Sequence, residues 1–499
     1  MRRIRDCLMA RPDRVLWLIG AYYVVAVVVR VLRTEGLQSD EAEQLFQSQY
    51  LLWGYGRQPP FYNWIQYGVI QLIGPSILAV SLVKNSFLFL SCLFYGLAAR
   101  QISTRNEVPA AAMLGVLALP AITVLAQRDL THATATLFAV SFFLYAFLST
   151  LTRPNLWGYA LTGLAIGIGA LSKYNFVVVP FAALAAVLAE PDLRRRVLDR
   201  RVLLTGAVAA LICLPHGFWF LHNVQTATAG TLESMRDDAT GRFLFDRIHG
   251  LAMFAISAVD GSFVVFVFLL IAFRRDLVDS WKQQTLWTRV IGRMLLVCLL
   301  SIVVIAVGVG ATKMTQKWLS PFLLLLPLYL CLKLEATGSF VRRPDGIARL
   351  TVPSLALAFG FLVYLTGGNV VAPLLGDYQK DSLPTVPFLR QVLTDGGEAD
   401  RPRYIVTDSM ILAGSARIVA PDVPILTSSS LARDLPPAGR GLVVWQDRHG
   451  ADIPVVMASS LRQTGINLAD VEPMSAEITY PFSRGRKVAS FNYAWIARP

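Results

Sequence analysis

Ser39-Asp40-Glu41-Ala42-Glu43-Gln44-Leu45-Phe46 decides how this chain is read, because of what flanks it. An apolar stretch over 15–33 runs into it, and Gly54-Tyr55-Gly56-Arg57-Gln58-Pro59-Pro60-Phe61-Tyr62-Asn63-Trp64 follows it. Few structural needs place three acids just past an apolar helix. A carboxylate at a membrane surface can act as a base on a lipid-borne substrate.

The composition agrees with a membrane setting. Of the 499 residues 55% are hydrophobic and 16% charged, less charge than a soluble chain of this size carries. Apolar stretches able to span a core about 30 Å thick fall at 15–33, 76–98, 107–126, 132–151, 156–171, 174–189, 202–220, 252–273, 291–310, 318–333 and 350–371, eleven in all. No small-residue cleavage site follows the first stretch, so it is expected to stay as a span.

Charge orients these spans. With the N-terminus in the cytoplasm, the inner loops hold 22 Lys and Arg against 10 acids, starting with Arg2, Arg3 and Arg5. From residue 376 onward 13 cations meet 13 acids. The net charge of +13 is therefore almost all on one face, as the positive-inside rule requires, and nucleic acid is a poor partner. An odd number of spans sends the tail outside. The five cysteines are Cys7, Cys92, Cys213, Cys298 and Cys331; the tail has none, so its fold rests on a core without disulfides.

Two domains are expected: a membrane domain over 1–375, and a soluble α/β domain over 376–499 with strands near 404–407, 423–426 and 441–445. A helix near 410–417 and a hairpin over 477–496 complete the tail. Within the first domain, 34–75 reads as an outer interfacial segment. Ala42, Leu45, Phe46, Gln49, Leu52 and Trp53 recur at helical spacing, and Phe61 to Ile73 begins a second interfacial helix. Asp40 suits the N-cap of the first, with Glu43 completing a capping box.

The outer loops gather the remaining chemistry. Arg57, Lys84, Arg128, Lys173, Lys313 and Lys317, with His132, His216 and His222, share the face of Asp40. Lys84 falls inside the second span, where a charge is costly unless paired or used. Each residue has a plainer reading: capping for Asp40, a loop ion pair for Arg128 and Asp129, snorkelling for Lys84. Together they suit transfer of a sugar from a polyprenyl phosphate. The attacking hydroxyl needs a base, and the departing phosphate needs cations.

Asp-Glu-Ala after the first span, the Pro-Pro-aromatic element and Arg128-Asp129-Leu130 resemble the GT-C glycosyltransferase superfamily. The likeness runs over roughly 15–330 and is nearest the branch holding protein O-mannosyltransferases and lipid A aminoarabinose transferases. Gly54–Pro60, Arg128-Asp129-Leu130-Thr131-His132 and Leu171-Ser172-Lys173-Tyr174-Asn175-Phe176 look closest to the lipopolysaccharide galacturonosyltransferases. The resemblance implies an all-α membrane domain and an inverting, metal-independent transferase of a bacterial inner membrane. It would move a sugar from a polyprenyl-phosphate donor to lipid A or lipopolysaccharide. Asp40 matches the family's base, beside Glu41, and Asp129 its second acid. Lys173 matches a family Leu-Thr-Lys element and is a candidate ligand of the donor phosphate, and Lys313 and Lys317 fall in a region that contacts lipid phosphate in relatives. Arg57, Lys84 and Arg128 are further phosphate candidates, and Tyr55, Tyr62, His132 and His216 substrate-binding candidates. No cofactor is expected, although the acids near Asp40 leave room for a divalent cation. The aminoarabinose branch has Lys before Pro-Pro where this chain has Arg57-Gln58, which bears on the donor sugar. A polyprenyl-lipid transporter and a protein O-glycosyltransferase are the competing expectations.

Overall fold

The computed structural model describes residues 11, 13–395, 401–431, 434–446 and 450–498; Arg2, Arg3, Arg5 and Cys7 lie outside them. Eight helices among the described residues are long and apolar enough to cross a membrane, from Arg14–Arg33 to Gly346–Leu375. The protein is a multi-pass membrane protein. Two of the eleven expected stretches, Leu156–Ser172 and Tyr174–Leu188, form shorter apolar helices. A third is broken: Glu107–Leu117 and Ala121–Asp129 meet at 57°, counting as a ninth span only when taken together. Pro120 precedes a π-helical turn over Ala121–Leu125 at that break, the kind of local irregularity that bends a helix.

The chain forms two compact units. One comprises the chain up to Val25, Leu52–Tyr62 and Lys84–Phe361; the other comprises Ala26–Leu51, Asn63–Val83 and Leu362 onward. In the first, backbone satisfaction governs the packing, because lipid offers no hydrogen bonds. The Tyr95 hydroxyl donates to the Leu324 carbonyl at 2.5 Å and accepts from the Leu328 amide at 2.8 Å. Those two groups stand four apart, so the hydroxyl is inserted where a helical bond belongs. On the same unit Glu190 accepts from Arg289 Nε and Nη2, both at 2.9 Å, and from Arg293 Nη1 at 2.7 Å.

The second unit carries a five-stranded sheet, β1 Tyr404–Val406, β2 Ile425–Leu426, β3 Gly439–Gln446, β4 Met474–Thr479 and β5 Val488–Arg498. The order is β2-β1-β3-β5-β4. β1 pairs β2 and β3 in parallel, and β5 pairs β3 and β4 antiparallel. Alternation along the strands divides two cores. Ile405, Leu442 and Val444 pack with Phe388, Leu389 and Leu412; Tyr404, Val406, Val443 and Trp445 pack with Met457 and Leu461. Helices therefore cover both faces, as expected of α/β layering.

The helix Met410–Val419 packs in turn on Ser39–Gln47. A Cβ at Gly414 would sit 2.6 Å from the Ala42 Cα and carbonyl oxygen, so only glycine allows this approach. Gly414→Val is expected to destabilise the protein by about 1–3 kcal/mol of overpacking; an unchanged unfolding midpoint in nanodiscs contradicts the packing. A second expectation concerns pH. The hydrogen bond from Arg289 holds the Glu190 carboxyl below its ordinary 4.5. Its stabilisation is then complete above that pH and fades as the pH falls toward the lowered folded value. Glu190→Gln is expected to flatten the acid limb of stability between pH 5 and 3, measured by thermal unfolding across that range.

Candidate active site

The helix Ser39–Gln47 starts two residues earlier than its sequence pattern indicates. Gln38, not Asp40, is the N-cap, and the reciprocal partner at N3 is Glu41, not Glu43. Asp40 is the second helical residue and half-buried, in the first turn, where the helix dipole suits an acidic side chain. The helix stops at Gln47 with Ser48 as C-cap, short of the expected Leu52 and Trp53. The Ser48 hydroxyl donates to the Leu45 carbonyl at 2.6 Å and so finishes the end.

Glu41 faces inward and is 2% exposed. Its Oε1 accepts from Arg30 Nε at 3.0 Å, and its Oε2 from Arg30 Nη2 at 2.6 Å. The Gln38 amide donates to Oε2 at 3.1 Å. Arg30 also donates to the Thr34 and Gly36 carbonyls at 3.1 and 2.8 Å, closing the turn between span and helix. Behind Asp40, Ala42 and Leu45 bury against Ile70, Ala79 and Val80, with Met410 and Ile418 beside them. Asn63 Nδ2 donates to Gln44 and Gln47 at 3.2 and 2.6 Å. Arg33 pairs with Asp381, which also accepts from Asn369 Nδ2 at 3.0 Å. One carboxylate is thus fixed in place by several elements of its own unit. Nothing in the sequence pattern above singles out Arg30. An arginine inside the first apolar stretch is the signal that identifies it.

The other site residues lie in the first unit. Lys84 is 1% exposed within the helix Ile77–Ile102. Its neighbour Asn85 accepts from Gln127 Nε2 at 2.8 Å. That bond ties the Lys84 turn to the short helix carrying Arg128 and Asp129, of which Arg128 is exposed and Asp129 half-buried. Tyr62 meets His132 edge-on at 5.5 Å between rings, and Lys173 is the half-buried C-cap of the helix Leu156–Ser172.

The loop over 51–60 is held by a histidine. Nδ1 of His216 lies 2.7 Å from the Trp53 carbonyl, and Nε2 lies 3.2 Å from the Tyr174 hydroxyl. A carbonyl only accepts, so Nδ1 carries the proton and Nε2 accepts from Tyr174. His216 is therefore a fastener of this loop, with both nitrogens engaged. Tyr55 is buried, its hydroxyl accepting from the Leu52 amide at 3.0 Å. Gly56 takes φ +65°, a turn that leaves Arg57 exposed with its guanidinium against Gly230.

Lys313 is ion-paired with Asp237 at 2.7 Å, which raises its pKa above the ordinary lysine range. The Thr312 amide donates to the Met235 carbonyl at 2.9 Å, Arg236 Nε to Val309 at 2.8 Å. The loop bearing Lys313 is thus stitched to the segment over 235–237. Lys317 is exposed on the helix Gln316–Leu323. No group of three His, Cys, Asp or Glu side chains is assembled for a metal among the described residues.

Known proteins share this architecture. The family model described as dolichyl-phosphate-mannose-protein mannosyltransferase matches residues 57–219. The lipopolysaccharide core galacturonosyltransferase RgtA of Rhizobium johnstonii is 37% identical over 492 residues, covering 96% of either chain. RgtB of the same organism, which bears the same description, is 38% identical over 486 residues, covering 97% of either. The crystal structure of ArnT from Cupriavidus metallidurans in the apo state superposes with a TM-score of 0.62 at 12% identity, covering 97% of this chain and 98% of that one. Its form bound to undecaprenyl phosphate gives 0.58 at 13%, covering 95% and 97%. That likeness establishes the fold.

The buried Arg30–Glu41 pair makes a testable claim. Arg30→Met or Glu41→Met alone strands a buried charge and is expected to cost about 3–5 kcal/mol. The double variant is expected to be clearly more stable than either single. Losses that simply add in a double-mutant cycle of unfolding free energies contradict the pairing.

Proposed function

This chain belongs to the family of the lipopolysaccharide core galacturonosyltransferases, glycosyltransferases of GT-C type, and we propose that it moves a galacturonosyl residue from a polyprenyl-phosphate donor to a hydroxyl of lipopolysaccharide core or lipid A. The observation that carries this reading is near full-length identity of 37–38% to two lipopolysaccharide core galacturonosyltransferases. The polyprenyl-phosphate donor is supported by the undecaprenyl phosphate bound to a protein of the same fold.

Asp40 is the base. The acceptor oxygen attacks C1 of the sugar as the C1–O bond to phosphate breaks, and the hydroxyl proton passes to the Asp40 carboxylate. The electron pair of the broken bond leaves with polyprenyl phosphate, which needs no proton but needs cations. Arg57, Lys84, Arg128, Lys173, Lys313 and Lys317 are assigned to that phosphate and to the carboxylate that a uronic acid brings. Asp129 is assigned to organising the site, and Glu41 to holding the Asp40 helix through Arg30. Tyr55, Tyr62 and His132 are assigned to shaping the sugar site, and His216 to fixing its loop. Direct displacement inverts the anomeric centre, and no step requires a metal.

The reaction faces the periplasm in this reading. The chain sits in a bacterial inner membrane with its N-terminus in the cytoplasm and the α/β domain outside. The one-sided distribution of Lys and Arg supports this orientation.

The test uses the purified chain in nanodiscs with a panel of polyprenyl-phosphate sugars, the galacturonic acid donor included, and a lipopolysaccharide acceptor. Transfer and release of polyprenyl phosphate are followed with and without EDTA. Asp40→Asn is expected to lower turnover by a factor of about 10²–10⁴ with donor binding retained. Unchanged turnover removes Asp40 as the base. Failure of wild type with every donor overturns the transferase reading, and loss of activity in EDTA overturns its metal independence.

A further inference from the structure

The hairpin joining β4 to β5 ends in a tip that neither core of the sheet uses. Phe482 stands there 50% exposed, outside both cores of the sheet, with its backbone at φ +60°. Bulky side chains avoid that left-handed region. Arg484 follows at φ +52° and Gly485 at φ +76°. The tip is nevertheless tightly made. The Ser483 amide donates to Tyr480 at 3.2 Å, Arg486 to Ser483 at 3.0 Å, and Tyr480 to Lys487 at 3.1 Å. Arg484 and Arg486 are exposed and form no ion pair with the described residues.

What holds this tip is the segment just past the last membrane span. Gly346–Leu375 is that span, and Tyr378 lies three residues beyond it. Three residues reach at most about 10 Å, so Tyr378 lies close to the end of that apolar helix, and tyrosine is favoured where such helices meet the membrane interface. Tyr480 packs against it with ring centroids 4.5 Å apart. Lys487 lies over both rings, 4.3 Å from Tyr378 and 5.7 Å from Tyr480. The base of the hairpin tip is thus fixed close to the end of that helix.

We propose that the tip over 481–487 is an interfacial lipid-binding site: Phe482 enters the headgroup layer, and Arg484 and Arg486 bind the phosphate of an anionic lipid. An aromatic side chain between headgroups with arginines beside it follows the pattern of interfacial anchors. The strained conformation sets Phe482 outward instead of into either core. The bulk phospholipid of that leaflet and a phosphorylated glycolipid offer the same chemistry. This site stands independently of the catalytic reading.

The test replaces Phe482 by the photo-crosslinking analogue p-benzoylphenylalanine in the full chain in nanodiscs of phosphatidylglycerol, with and without added lipopolysaccharide. Val455, 84% exposed on the helix Val455–Gln463, carries the same analogue as the control. Lipid adducts are counted by mass spectrometry. The expected result is a several-fold excess of lipid adduct at position 482 over position 455. Removing both arginines, Arg484→Gln with Arg486→Gln, is expected to lower the yield by about fivefold or more, given the usual worth of a basic residue at an anionic surface. The same pair of substitutions in phosphatidylcholine nanodiscs is expected to have little effect. Adducts to phospholipid in proportion to its abundance assign the site to the bulk leaflet; enrichment of glycolipid adducts assigns it to that lipid, and both support a lipid-phosphate site. Equal yields at the two positions, or no response to loss of the arginines in anionic discs, overturn it.

Discussion

Everything about the Asp40 helix depends on a buried ion pair eleven residues long in sequence, Arg30 with Glu41. Removing two charges from water is expensive, and their attraction repays it only when the remaining donors and acceptors are also satisfied. Here Glu41 accepts from Arg30 and from the Gln38 amide, and Arg30 also gives to the Thr34 and Gly36 carbonyls. The pair therefore acts less as a source of stability than as a register lock. A short helix of nine residues has little intrinsic persistence, yet its second residue must be held still for the base role proposed for it. The lock is placed one residue after Asp40, so in the proposed reading one acid of Asp40-Glu41 does the chemistry while the other supports it.

The same economy recurs wherever backbone leaves regular structure. Tyr95 fills an interrupted helical bond in one span, and His216 binds the Trp53 carbonyl with one nitrogen and Tyr174 with the other. The break before Ala121–Asp129 brings Gln127 to Asn85. In a membrane such irregular segments survive only with polar partners nearby. A polar side chain on a neighbouring helix is thus the condition for presenting a loop.

Much of this was legible from the residues alone. Alternating strands and the helix near 410–417 appear where patterning puts them, because the period of two and the helical period are local properties. The family resemblance was likewise carried by short motifs in order, Asp40-Glu41-Ala42 and Arg128-Asp129-Leu130. The cap was misread because Asp40 and Glu43 match the spacing of a capping box. The deciding partner, Arg30, comes from another helix, and the cap rule contains no such term. The end at Gln47 was hidden for the same reason: Gln49, Leu52 and Trp53 continue the apolar spacing, but Ser48 and Gln49 use their side chains on backbone groups. Break angles and the π turn depend on neighbouring spans and leave only Pro120 as a trace. Asp237 as the partner of Lys313 comes from a segment 76 residues away and has no local signature.

The side chain of Gln49 closes the open edge of the sheet, accepting from the Ile425 amide at 2.8 Å and giving to its carbonyl at 3.3 Å. The partners are 376 residues apart. A ribosome working at about 5–20 residues per second needs roughly 20–75 s to cover that distance. Throughout that interval the early segment exists without the strand it will complete and without Gly414 behind Ala42. Its final support arrives only with the late part of the chain, so translation that stops early yields a membrane-inserted product lacking the backing of its Asp40 helix. Completion of synthesis thereby becomes a condition for a properly mounted carboxylate.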